Sequence, residues 1–96
     1  MIRGGLSEAK PATPEIQEIV DKIKPQLEGQ TNEKYETFKA VEYKSQVVAG
    51  INYFIKVDVG GGRYIHVRAF SGINDHGFEF SGYQADKTRD DELTYF

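Results

Sequence analysis

The chain contains no cysteine. A disulfide framework, a thiolate metal site and a cysteine nucleophile are all excluded by that one absence. Small secreted domains often depend on disulfides, so a cysteine-free chain leans towards an intracellular, cytoplasmic address. An excess of basic charge is missing too: 12 Lys and Arg stand against 15 Asp and Glu, a net charge of -3. Duplex-binding proteins carry a basic stripe, and none is visible, so no nucleic-acid partner is expected. No run of about 18 apolar residues occurs, and residues 1–10 lack an apolar stretch of signal-peptide length, so no membrane association is expected. The two histidines and scattered carboxylates show no HExxH or comparable spacing, so neither a metal nor a cofactor is expected.

What is present is ordinary globular chemistry, with 39% apolar, 12% aromatic and 28% charged residues. At 96 residues, size scaling allows about 65% of the unfolded surface to be buried, enough for one core and not two. A single domain over 1–96 is expected.

Thr13-Pro14 is a helix-start signal, with Thr at the N-cap and Pro at the first helical position. Ile16, Ile19, Val20, Ile23 and Leu27 follow at helical spacing, and Gln17, Asp21, Lys22 and Glu28 take the opposite face. Pro25 falls inside the stripe and predicts a kink rather than a stop, because the stripe continues to Leu27. The helix fades over residues 29–33, and residues 6–12 read as a connector. From Phe38 onward the period becomes two. Val41 and Tyr43 alternate with Glu42 and Lys44. Ile51, Tyr53, Ile55, Val57 and Val59 alternate with Asn52, Phe54, Lys56 and Asp58. Ile65, Val67 and Ala69 alternate with Tyr64, His66, Arg68 and Phe70, and Phe78 and Phe80 flank Glu79. These are four strands with one core-facing side each. Short connections, including Gly60-Gly61-Gly62, make the pairing antiparallel. The expected architecture is α+β, one helix on one face of an antiparallel sheet. His66 reads as a surface residue on the outward side. Ser45, His66 and Asp75 lack any nucleophile-elbow pattern, and no enzyme activity is expected.

One turn breaks the rules. Between the strands near 41–46 and 51–59 the chain reads Gln46-Val47-Val48-Ala49-Gly50, with two valines where polar turn residues belong. Gly50 supplies a positive φ, whereas Val48 is a poor turn residue and reads as strained. A local rule broken in a consistent sequence points to function or strain; the alternative is that the valines extend the strands and cover the core. In a meander, alternate turns share an end, so the 46–50 turn and the 71–77 turn lie together, the latter offering Ile73 and Asn74. The apolar start with Gly4 and Gly5 can join them. Three apolar, small-residue segments at one edge form a narrow wedge, a shape for filling a cleft.

These residues carry a resemblance. Gln46 to Gly50 matches the QxVxG motif of the stefins, the cysteine-free branch of the cystatins, and Gly4 matches their N-terminal glycine. Ala12-Thr13-Pro14-Glu15-Ile16, Lys24-Pro25-Gln26-Leu27-Glu28 and Asp91-Glu92-Leu93-Thr94 also resemble stefin segments, so the likeness spans the chain. It implies a cystatin-like fold, one long N-terminal helix packed on a five-stranded antiparallel sheet, with the N-terminal segment as the fifth strand. It implies reversible, tight inhibition of papain-like cysteine proteases: papain and cathepsins L, S, H and B. Gly4 and Gly5 would lie on the non-primed side of the cleft. Gln46, Val47, Val48, Ala49 and Gly50 would form the first binding hairpin, and Ile73 and Asn74 the second. The segment around Ile73 is shorter than the stefin pattern and has no proline, so Ile73 stands in for the apolar anchor. Two other readings are a diverged or engineered stefin scaffold that binds another protein, and a domain-swapped dimer without inhibitory activity in place of an active monomer.

Overall fold

A computed structural model of the chain describes residues 6–72 and 77–96. The elements run β1 (Lys10–Pro11), α1 (Pro14–Thr31), β2 (Lys39–Val48), β3 (Gly50–Gly60), β4 (Arg63–Gly72) and β5 (Glu79–Lys87). The strands form one antiparallel sheet in the order β1-β2-β3-β4-β5. This is the cystatin-like α+β fold that the resemblance implies.

The helix begins where its residues dictate. Thr13 is extended and its Oγ1 accepts from the Ile16 N–H at 3.3 Å, with Pro14 next. Helix geometry runs unbroken through Pro25, which is exposed. It ends at Asn32, whose left-handed backbone (φ 61°) lets its N–H reach the Glu28 carbonyl at 2.9 Å. Ile16, Ile19, Val20, Ile23 and Leu27 are all buried against Ala40, Ile55, Val57, Ile65, Val67 and Ala69 of the sheet. Gln17, expected on the polar face, ties the helix to the sheet. Its amide donates to the Phe38 carbonyl (3.0 Å) and accepts from the Ala40 N–H (2.8 Å).

Three sequence expectations need correction. The fifth strand lies within the segment read as a connector. It is only two residues long, pairing Lys10 with Tyr43 and Pro11 with Glu42, and Pro11 is tolerated because β1 is an edge strand. Val41 is not core-facing. The register slips between Ala40 and Glu42, so Val41 is the bulged residue and is exposed while Ala40 takes the buried place.

The third correction is the largest. The second face of β3 and β4 is not solvated: Phe54, Lys56, Asn52 and His66 are all buried. Residues 88–96 cross this face as a strap. Leu93 is buried on it, and Tyr95 and Phe96 pack on the Phe54 ring at 5.7 and 5.5 Å. Three cations fasten the strap. Lys56 Nζ donates to the Arg89 carbonyl at 2.7 Å, Lys44 pairs with Glu92 at 3.1 Å, and the Arg68 guanidinium donates to the Phe96 carbonyl oxygen. Leu93 and Phe96 therefore cover the sheet, while Tyr95 remains largely exposed.

Candidate functional site

The β2–β3 hairpin is a continuous ladder almost to its tip. Gln46 faces Asn52, Val47 faces Ile51 and Val48 faces Gly50, leaving Ala49 alone off the ladder. Such a tight reversal requires a backbone that a side chain resists, and Gly50 supplies it at φ +123°. A Cβ at Gly50 would strike the Ser71 carbonyl oxygen and come within 2.9 Å of the Gly72 Cα. Val48, expected to be strained, belongs to β2. The positive φ values among the described non-glycine residues fall on Asn32 and Asp86 instead.

The valines do not cover the core. Val47 is 76% exposed and Val48 44% exposed, among the most exposed large apolar side chains described. Gly50 pairs with Gly72 and Ile51 with Ser71, so the end of β4 lies beside the hairpin tip, as the meander rule predicts. Val47, Val48, Gly50, Ile51, Ser71 and Gly72 line a shallow hollow of about 380 Å³ and carry no charge. The N-terminal segment approaches the same end. The Ser7 N–H donates to the Ser45 carbonyl (2.8 Å), and the Ser45 N–H donates to Ser7 Oγ (3.0 Å). Gly4, Gly5, Ile73 and Asn74 lie outside the described residues, so the structure brings together Gln46 to Gly50 from the expected set.

Behind the exposed tip stands a buried polar pair. Asn52 Nδ2 donates to Gln46 Oε1 at 2.9 Å, and both side chains are 7% exposed. Strand alternation had put Asn52 on an outward face. The signal that marks it is its type, since asparagine is a poor strand former and is seldom buried.

A larger hollow, about 590 Å³, lies at the opposite end and is lined by Glu33, Lys34, Tyr35, Thr37, Gly60 and Arg63, among others. Its chemistry is that of a closed ion pair, Arg63 to Glu33 at 3.5 Å. Burial raises the Tyr35 phenol pKa, which keeps it neutral. Burial, followed by the charges of Lys56 and Lys87 and opposed by Asp91, pushes His66 down to about 4. His66 is therefore a neutral core residue, and β3 separates its strand from that of Ser45. Among the described residues no group of three His, Cys, Asp or Glu side chains is placed to hold a metal ion. No described helix is long and apolar enough to cross a membrane.

A cystatin-domain profile matches residues 4–90, covering helix, hairpin and sheet together. The chain belongs to the cystatin family. Within it, this cystatin is 64% identical to mouse Cystatin-A over 97 residues, spanning the whole of both chains. It is 62% identical to mouse Stefin-2, covering 99% of this chain and 93% of the relative. It is also 58% identical to pig Leukocyte cysteine proteinase inhibitor 1, covering 100% of this chain and 95% of the relative. The stefin resemblance read from the motifs thus extends over the full length.

Proposed function

We propose that this cystatin is a reversible, tight-binding inhibitor of papain-like cysteine proteases, acting as one domain over 1–96, as a monomer and in the cytoplasm. The observation that carries the reading is the exposed, uncharged Val47-Val48-Ala49 tip, fixed on Gly50 beside the end of β4. The inhibitor named among its relatives supports it. Papain and cathepsins L, S, H and B are the intended targets. Gln46 to Gly50 fill the middle of the cleft, Gly4 and Gly5 extend along the non-primed side, and Ile73 and Asn74 reach the primed side.

The physics is that of a rigid apolar edge entering a groove. Burying exposed valine contributes roughly 25 cal/mol per Å². A hairpin already paired to its tip loses little entropy on binding. The chain blocks the cleft without offering a peptide in attack geometry, so the inhibitor is neither an enzyme nor a substrate.

The test is a titration of active papain, then cathepsin L, with the purified chain. A stoichiometric, reversible loss of activity is expected. Val48→Asp, which would bury an unpaired carboxylate against the enzyme, is expected to weaken inhibition by about a hundredfold or more while the domain stays folded. No inhibition by the parent at micromolar concentration overturns the reading.

A further inference from the structure

Asparagine at the middle of a sheet needs a reason. β3 lies between β2 and β4, and Asn52 sits on it between Ile51 and Tyr53, directly across from Gln46 and within hydrogen-bond distance of it. Valine, isoleucine or threonine would suit the backbone better. The bond between the two amides offsets part of the cost of burying them this deeply, and truncating Asn52 removes that bond from Gln46. The cost is thus spent on holding one geometry, and what the pair holds is the base of the exposed tip. Val47 follows Gln46 directly, and Ile51 precedes Asn52.

We infer that Asn52 is a positioning residue for the inhibitory hairpin, acting through Gln46 to keep the Val47–Gly50 tip in its binding geometry before the protease arrives. This rests on the inhibitor reading above. Asn52 itself stays behind the tip and need not touch the enzyme. Its neighbours separate the role from ordinary core packing. On the same face, Phe54 is held by Tyr95 and Phe96, so the strap supports the sheet without help from Asn52.

Positioning has a kinetic signature. If loss of the pair leaves only a fraction of molecules with a competent tip, the association rate falls by that fraction while dissociation of the formed complex is unchanged. The variants are Asn52→Leu, which keeps the number and branching of side-chain heavy atoms and removes the donor, and Asn52→Thr, a good strand former whose hydroxyl is too short to replace the amide. Association with papain is expected to slow by roughly threefold to tenfold in each, at a temperature well below each variant's melting point. The exchanged pair Gln46→Asn with Asn52→Gln restores an amide-to-amide bond and is expected to recover part of the rate. If the parent inhibits papain but both single variants associate as fast as it does, the inference fails. It also fails if the variants lose thermal stability alone, or if dissociation accelerates while association holds. A parent that does not inhibit papain overturns the inhibitor reading instead. Should Asn52→Leu not fold, Asn52→Thr decides.

Discussion

Gly50 and His66 both sit in surroundings that leave little room for change. At Gly50 a methyl group would meet the main chain of β4 first, at Ser71 and Gly72, with the Phe70 ring also at 3.0 Å, and the φ of +123° is costly for any other residue. Gly50→Ala is expected to destabilise the fold by about 2 kcal/mol or more, read as a lower urea midpoint at unchanged slope, and to weaken inhibition. His66 has neither ring nitrogen hydrogen-bonded, and Gln84 Oε1 on the neighbouring strand also lacks a partner. An unfolded histidine titrates near 6.5, whereas this one titrates at about 4 in the fold. Between those values the unfolded chain binds more protons than the folded one, so acid favours unfolding. This contribution to stability is complete above about pH 6.5 and gone by about pH 4, on the order of 3 kcal/mol. Urea midpoints from pH 7 to pH 4 are expected to fall, and His66→Leu to flatten that fall; an unaltered slope would assign the loss to other groups. Gly50 was legible in the sequence because a turn needs it. The burial of His66 and Asn52 was not, because alternation identifies two faces but does not say what covers the second.

At the scale of elements, the helix and the strap make a contrast. The helix was legible from Thr13 to Leu27 because cap, first-turn proline and apolar stripe agree. Pro25, read as not stopping the helix, lies inside it at an exposed position. Pro25→Ala restores a helical donor and is expected to raise the melting temperature, by about 1–3 kcal/mol in stability. The strap has no period, and β1 has two residues, too few to show one. Both are held by long-range bonds that no local pattern announces: Lys44 to Glu92, Lys56 to Arg89, Ser7 to Ser45. Leu93→Ala leaves a cavity under the strap and is expected to cost about 3 kcal/mol in a denaturant titration, comparable to truncating a leucine of the helix stripe. A negligible effect would mean the strap lies loosely on the sheet.

In the whole molecule the clamped part of the sheet and the proposed binding tip occupy different stretches of the long strands. Helix and strap clamp the middle of the sheet from opposite faces, and the β2–β3 tip projects beyond them with the end of β4. The position of that edge followed from turn parity alone, because antiparallel neighbours return every second connection to the same end. The same geometry exposes a hazard. Straightening the reversal at Ala49 would merge β2 and β3 into one long strand and allow two chains to exchange halves. Gentle heating followed by size-exclusion chromatography is expected to yield a dimer that no longer inhibits papain, since the tip ceases to exist in it. A dimer as potent as the monomer would show that the tip is not the inhibitory element.

The strap's bonds also bear on how such a chain tolerates change over generations. Lys56 and Arg68 grip main-chain oxygens, which every amino acid possesses. The side chains of Arg89 and Asp90 point to solvent and are not the gripped atoms. Substitution at these two positions leaves the carbonyl grip in place. An insertion or deletion between Lys87 and Leu93 does not, because it slides Leu93 off its seat and moves the carbonyls away from their cations. At Arg89 and Asp90 drift is therefore constrained in length far more than in spelling, whereas Asp91 and Glu92 are also held by their side chains.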